Sequence, residues 1–355
     1  MPTPTAANAT PVSAAALRAW GRGAFLAVGM GEGDAALLAA SLVMTSLWGV
    51  DTHGVVQFPH YLERLARGSI KARPVMRVER TGPGTAQLHA DQAHGILAAH
   101  RATGLACELA RESGLGAVGV SDSSHCGALA LYTRDAAREG FVAFAFTHAN
   151  TVAATHGGRR AFFGTNPVSI AFPRAGHEPA CLDMATTSVP WNRVLNARRE
   201  GHALPPDVAV DAAGHVTTDA LAAAAVTPLG GAAFGHKGYA LALMVDLLCG
   251  PLNGAPFGPH IPPMHGDLDV PRRLGSFFLV LDPMRFAGGP ALAATVQRMA
   301  EELAAEPGSP RMPGDPELDT ARRREVEGIP VEPGLAALLA AWSERLSIPA
   351  PEPGR

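Results

Sequence analysis

The chain has 355 residues, 47% of them hydrophobic and 17% charged, which suffices for a large core and is too apolar for a disordered polymer. Thirty-two acidic and 29 basic residues leave a formal charge of −3, and no Lys/Arg cluster interleaves with aromatics, so nucleic acid is not an expected partner. The longest apolar stretches, such as Tyr239 to Leu248, fall short of the roughly 20 residues that cross a bilayer, so no membrane partner is expected either.

Residues 1–12 are rich in Ala, Pro and Thr and lack the basic-then-apolar order of a secretory leader; they read as a loose tail. From Ser13 to Trp48 an Ala/Leu-rich text with helical spacing is broken at Gly29 to Gly33, with Asp34 as the cap of a second helix. Asp51 to Pro59 is a turn, Tyr61 to Gly68 a short amphipathic helix, and Pro74 closes the region. Strands follow at Met76–Arg80 and Thr85–His89, a helix at Gly95–Ser113, a strand at Ala117–Val120, a helix at Leu129–Glu139 and an apolar strand at Val142–Thr147. Such alternation marks an α/β unit. Val168–Phe172 and Cys181–Met184 read as strands, and the polar stretch onward to Thr218 as a long surface excursion. Tyr239–Leu248 reads as a buried helix, Phe277–Leu281 as a late strand, and Ala291–Leu303 and Gly334–Leu346 as helices flanking a loop at Glu306–Pro316.

Gly114-Leu-Gly116-Ala-Val-Gly119 spells the dinucleotide fingerprint, but in reversed context. The fingerprint needs a strand before it and a helix after it, so that pyrophosphate meets a helix N-terminus; here a helix precedes and a strand follows. These glycines are expected to end one element and begin the next. No Gly-Lys-Ser/Thr loop, Gly-x-Ser-x-Gly elbow or His-Glu-x-x-His helix occurs, which removes the usual support for nucleotide-triphosphate, serine-hydrolase and zincin chemistry.

Four scattered cysteines (Cys107, Cys126, Cys181, Cys249) argue against a disulfide framework and against a zinc site with paired ligands; a reducing cytoplasm fits best. Fourteen histidines against three tyrosines is the unusual count, because imidazole moves protons near neutral pH. Asp51-Thr52-His53-Gly54 places a carboxylate, a hydroxyl and an imidazole beside a glycine that admits close backbone approach, a proton-donor pattern or a plain cap. Ser121 to Gly127 joins a strand to a helix, which suits anion binding at the helix start or a Ser-rich cap. Gly164-Thr165-Asn166-Pro167 is a fixed polar turn, and Cys181 to Thr187 ends a strand with a carboxylate and two hydroxyls. Gly235-His236-Lys237-Gly238 sets a cation at the start of a helix, for a phosphate contact or for solvent.

In order, Asp51-Thr-His-Gly-Val55, Ser124-His-Cys-Gly-Ala128, Gly164-Thr-Asn-Pro167, Asp183-Met-Ala-Thr186, His236-Lys-Gly-Tyr239 and Pro313-Gly-Asp315 resemble the type-2 malate/L-lactate dehydrogenase family over about residues 13–345. The resemblance implies a mixed α/β fold without a Rossmann loop, a homodimer, and NAD(H) or NADP(H) as cofactor. It implies an NAD(P)-binding sheet domain (76–234 with 263–287) inserted in a helical domain built from both chain ends (13–75 with 235–262 and 288–346), and flexible tails at 1–12 and 347–355. His53 matches the proton donor to the substrate and Thr52 the hydroxyl that supports it; His125 is itself catalytic in part of the family. Ser124, His125, Cys126, Gly127, Ala128 and Leu129, then Asp183, Met184 and Ala185, then His236, Lys237 and Gly238, and finally Pro313, Gly314 and Asp315 match cofactor contacts, and Thr165 a substrate contact.

Two positions depart from the family pattern. Gln57 stands where an arginine commonly pairs with the substrate carboxylate, and Trp48 where a second arginine is usual. An amide cannot replace a guanidinium fork, so a less cationic, more apolar substrate pocket is expected, with Arg193 restoring charge from the other side. The expected function is NAD(P)H-dependent interconversion of a 2-oxo acid, or related carbonyl, and its 2-hydroxy acid, acting on a small molecule. Reduction of a cyclic imine is the alternative, and a family-derived binding protein without turnover the second. A histidine-built metal hydrolase lacks ligand spacing, and no metal is expected.

Overall fold

The computed structural model describes residues 9–352. Ten α-helices occur among them: α1 (Ala14–Ala27), α2 (Glu32–Leu47), α3 (Phe58–Arg67), α4 (Gly95–Ser113), α5 (Ala130–Arg138), α6 (Trp191–Glu200), α7 (Gly231–Cys249), α8 (Gly289–Ala305), α9 (Asp315–Glu327) and α10 (Pro333–Leu346). A seven-stranded mixed sheet forms the centre, in the spatial order Arg77–Gly82, Thr85–His89, Leu115–Ser123, Leu274–Leu281, Val142–Thr147, Val168–Phe172, Ala180–Met184. Only the pair Thr85–His89 and Leu115–Ser123 is parallel. The late strand Leu274–Leu281 thus threads back to the middle of a sheet begun two hundred residues earlier.

The refused glycine motif is structural. Gly114 has φ +90° and closes α4 with its amide on the Ala110 carbonyl. A Cβ on Gly116 would overlap the Ala106 carbonyl of α4, and one on Gly119 would lie 2.5 Å from Gln87 Oε1. Gly116 lets a small-residue face of α4 (Ala98, Ala99, Ala102, Ala106, Ala110) lie directly on the sheet, where it shares a core with Val118, Val120, Phe278 and Val280, whereas Gly119 on the opposite face makes room for Gln87 and Asn253.

A second core joins the chain ends: Leu17, Trp20 and Phe25 of α1, Leu38 and Leu42 of α2, Phe58, Tyr61 and Leu62 of α3, and Leu339 and Trp342 of α10. Thr10–Val12, expected as loose tail, is a strand paired antiparallel with Ile329–Val331, Val12 opposite Ile329. Of the expected tails, residues 1–8 and 353–355 lie outside the described residues, while Ile348, expected in the C-terminal tail, packs half-buried against this second core.

Other expectations are corrected. Gly31, not Asp34, precedes α2 as its cap; Asp34 lies inside the first turn. The stretch after Met184 is not a plain surface excursion: it carries α6 and the strands Ala209–Val210 and Ala225–Val226, which join the earlier Ala153–Ala154 and Ala161–Phe163 in a four-stranded sheet with its own apolar cluster around Val194 and Val226. The helix around Tyr239–Leu248 is buried on one face only: Phe234, Met244 and Leu247 are exposed. It packs on Leu274–Leu281 and Val142–Thr147, and α8 packs toward Ala180 through Ala300, so neither sits in the N-terminal helical core. Helix α9 occupies a region given no element from sequence.

Candidate active site

The turn that carries His53 is two successive 3-10 turns, Asp51–His53 and Val55–Gln57, joined at Gly54. The group that approaches Gly54 closely is Ser46 of α2, whose hydroxyl also accepts the Val55 N–H at 2.9 Å. From the other side Arg324 of α9 holds Asp51 through a fork of 2.5 and 2.9 Å and donates to the Ser46 carbonyl. Thr52 Oγ1 meets His53 Nδ1 at 2.8 Å, leaving Nε2 without a protein partner among the described residues.

His125 faces His53 with ring centroids 5.4 Å apart and planes tilted by 31°. Both rings remain partly open to solvent while protein crowds them, as on the wall of a deep cleft, and that crowding holds both imidazoles below the ordinary histidine value. The buried Tyr61 hydroxyl lies 2.6 Å from His125 Nδ1. Tyr61 stacks edge-on against buried His94, and behind it are two buried guanidiniums, Arg64 and Arg272, whose bonds run to loop carbonyls, hydroxyls, His60 and Asn150.

The helix start after the Ser124 loop is not vacant for an anion. Asp183 Oδ2 accepts the Ala130 N–H at 2.8 Å, so a carboxylate of the protein caps α5. Asp183 is itself exposed yet crowded; crowding raises its carboxyl to about 6, against the pull of the backbone N–H groups of Ala130 and Leu129. Ser124 is buried, its hydroxyl accepting the Gly95 N–H at 2.8 Å to start α4; Cys126 is buried with its carbonyl bonded to Tyr132, and Ala128 and Leu129 are buried as well. Of that loop only His125 reaches the cleft with its side chain.

Backbone bonds stitch the remaining motifs together. Thr186 donates through N–H and hydroxyl to the Thr165 carbonyl (both 2.9 Å), Leu229 N–H donates to Thr186 O, and Gly238 N–H to Leu229 O. The turn at Thr165, the strand end Asp183–Ala185 and the start of α7 therefore lie side by side. His236 and Lys237 are exposed there, and Lys237 has no carboxylate partner among the described residues. Pro313 accepts the Cys181 N–H, Gly314 (φ +95°) accepts from buried Arg134 at 3.0 Å, and Asp315 pairs with Arg174 at 2.9 Å.

The expected substrate contacts fare differently. Thr165 lies in the stitched group. Trp48 is buried in the core, stacked under the Arg134 guanidinium at 5.1 Å, so it does not line a pocket. Gln57 turns back, its amide donating to the Thr52 carbonyl at 2.7 Å. Arg193 projects from the exposed face of α6 and forms no ion pair among the described residues. Tyr61, Arg64, Arg272, Arg134 and Arg324 escaped sequence reading; the only signal was their apolar or helical setting, where a polar group needs a partner.

Among the described residues no three His, Cys, Asp or Glu side chains gather as metal ligands. A pair of facing imidazoles, on a mixed sheet without a Rossmann loop, marks the candidate active site of an α/β enzyme.

The sequence profile of the malate/L-lactate dehydrogenase family matches residues 12–340, and the chain belongs to that family. It is 35% identical over 308 residues to the NAD(+) ureidoglycolate dehydrogenase of Escherichia coli K12, covering 85% of this chain and 87% of the relative. Malate dehydrogenase from Entamoeba histolytica superposes with a TM-score of 0.91 at 26% identity, covering 97% of this chain and all of that one. Delta1-piperideine-2-carboxylate reductase from Pseudomonas syringae pvar. tomato does so with 0.83 at 30% identity, covering 95% and 98%. The mixed α/β fold without a Rossmann loop, expected from the motifs, is thereby established.

Proposed function

We propose that the chain is an NAD(P)-dependent oxidoreductase that interconverts a 2-oxo acid and its 2-hydroxy acid, with His53 moving the proton. The observation that carries this reading is the His53–His125 pair, 5.4 Å between centroids, beside Asp183 and the stitched motifs. The residues present fit a nicotinamide dinucleotide: Lys237, which pairs with no carboxylate among the described residues, offers its ammonium to a phosphate, and Met184, Ala185 and the His125 edge leave the strand end open. Gly127, Gly238 and the loop Pro313–Asp315 complete the set, while Ser124, Cys126, Ala128, Leu129 and Asp183 shape the wall. When bound, the nicotinamide supplies or accepts the hydride.

His53 does the proton work. Thr52 fixes its Nδ1 side, so Nε2 faces the substrate. Crowding keeps the imidazole largely neutral at pH 7, ready to accept the hydroxyl proton in oxidation. In reduction the protonated fraction, and with it the rate, rises as pH falls. Thr165 offers a hydroxyl to the substrate, and the positive potential of Arg272 and Arg64 behind Tyr61 favours an acid group in the cleft.

A cyclic imine is the second reading, favoured by the likeness to the piperideine-2-carboxylate reductase; it needs the same hydride and proton. Retention of His53, Lys237 and Asp183 weighs against a binding protein without turnover. A homodimer is supported by the exposed apolar face of α7 (Phe234, Met244, Leu247) with Leu252 and Phe257. A cytoplasmic setting is supported by four unpaired cysteines; no helix among the described residues is long and apolar enough to cross a membrane.

The test is cofactor binding followed by turnover. NADH and NADPH are titrated separately by fluorescence, and oxidation is then followed at the nicotinamide absorbance against 2-oxo acids and cyclic imines. Binding of one cofactor with turnover of a 2-oxo acid is expected. Failure to bind either overturns both enzyme readings.

A further inference from the structure

We infer that His125 acts in the cleft as a neutral Nε2–H hydrogen-bond donor, positioned by Tyr61, and that it carries no proton through the turnover. The inference rests on the hydride-transfer reading above and assigns the second imidazole a role distinct from that of His53.

Two groups meet Nδ1 of His125: the Tyr61 hydroxyl at 2.6 Å and the backbone N–H of Gly127 at 3.3 Å. A backbone amide can only donate, so Nδ1 is an acceptor and bears no hydrogen. The phenol of Tyr61, whose ionisation burial suppresses, must then donate as well. With Nδ1 closed by two donors, the one hydrogen of the neutral ring sits on Nε2.

That arrangement removes His125 from proton transfer in both directions. To accept a proton it would have to place a hydrogen on Nδ1, against the Gly127 and Tyr61 donors. To give one up it would have to become an imidazolate. Its charged and titratable neighbours are His53, Arg272, His94 and His60; Arg272 repels an imidazolium, burial keeps the imidazoles neutral, and none of the four is a carboxylate that would favour a second proton. Packing makes the geometry stiff: Tyr61 is 1% exposed and wedged edge-on against His94 at 4.2 Å, so its hydroxyl has little freedom to release Nδ1.

The open Nε2–H has one use. Imidazoles with centroids 5.4 Å apart can both reach a single oxygen placed between their edges, each N···O distance being about 2.9 Å. As hydride reaches the carbonyl carbon, the π pair moves to the oxygen. His125 holds the growing negative charge by its N–H, and the proton that ends on that oxygen comes from His53. Loss of one such donor typically costs about 100- to 1000-fold in rate.

The test reads the tautomer directly. The full chain is labelled with 15N-histidine, two-bond proton–nitrogen spectra are recorded from about pH 5 to pH 8, and the His125 signals are assigned by their absence in His125→Gln. A second assignment comes from Tyr61→Phe, which shifts the same signals. The expected result is an Nε2–H ring that does not titrate. An Nδ1–H ring, or titration at the ordinary histidine value, overturns the inference, whether or not any substrate has been found. In turnover, glutamine can present an amide N–H near the Nε2 position, so His125→Gln is expected to exceed His125→Ala by about tenfold or more, within the cost of one lost donor; equal loss overturns the donor role. Tyr61→Phe is expected to lower kcat by about tenfold with cofactor affinity and the pH limb unchanged, and a displaced limb overturns it.

Discussion

Replacing Gly54 by alanine tests whether the catalytic turn is held by direct backbone contact with α2. Gly54 has a negative φ of −97°, so space rather than left-handed strain excludes a side chain. A methyl there overlaps the Ser46 hydroxyl and comes within 2.9 Å of the Ser46 backbone nitrogen and 3.0 Å of its Cβ. Either α2 retreats or the Ser46 hydroxyl rotates away from the Val55 N–H. Overpacking costs about 1–3 kcal/mol and the lost hydrogen bond about 1 kcal/mol. For 355 residues the unfolding entropy is about 0.75 kcal/mol per kelvin, so a total of about 2–4 kcal/mol lowers Tm by about 3–5 °C. Because His53 adjoins the displaced residue, kcat/KM falls further than stability suggests, by up to about 100-fold for a shift near 1 Å. Calorimetry and initial rates measure both quantities. Adding Ser46→Ala relieves the hydroxyl overlap and recovers part of the loss. An unchanged Tm with full activity in Gly54→Ala refutes the reasoning.

Two further predictions concern the anchors of the site. Arg324→Met removes the fork on Asp51; because the Asp51 side chain is 41% exposed, stability falls by about 1 kcal/mol or less. The turn at His53 nevertheless loses its only charged anchor among the described residues, so kcat drops several-fold with cofactor affinity intact, and Arg324→Lys restores only part, since an ammonium cannot form the fork; an unchanged kcat contradicts this. Asp183→Ala loses the cap of α5 and about 1 kcal/mol, whereas Asp183→Asn keeps an acceptor for Ala130. Crowding raises the folded carboxyl from the ordinary aspartate value of 3.8 to about 6, so its contribution is fully present below the lower value and is lost as pH rises through the higher one. Wild type therefore loses stability relative to Asp183→Asn across that window, and thermal melts of all three proteins that coincide at every pH contradict the capping role.

Much of the central sheet was legible because its elements are long, apolar and punctuated: α4 runs from the His94 cap to Gly114, and the strand Val142–Thr147 is apolar without a break as far as Phe146. Helix α9 was not, because none of its residues is buried and its Arg-rich text shows no apolar stripe. The strands around Ala153 and Ala225 are two residues long, too short for any alternation to register. Thr10–Val12 is a strand only because Ile329–Val331 lies beside it, a pairing with no local signature.

The site divides along the same line. His53 and His125 stand in short motifs that a single sequence displays, whereas their supports come from 64 and 273 residues away, as Tyr61 on His125 and Arg324 on Asp51. The anion site expected at the start of α5 failed because a strand far along the chain brings its own carboxylate there. Trp48 stands where a family arginine is usual and is turned into the core by Arg134, a contact no spacing rule reports.

The central claim is that His53 moves the proton. Its most direct test is kcat/KM for 2-oxo acid reduction across pH in wild type and His53→Ala, with cofactor affinity measured in parallel. In wild type the rate is predicted to rise as pH falls toward a titration below the ordinary histidine value. In His53→Ala that limb disappears and the rate drops by about 100- to 10,000-fold while cofactor affinity stays the same. A variant that keeps both the limb and the rate would contradict the account.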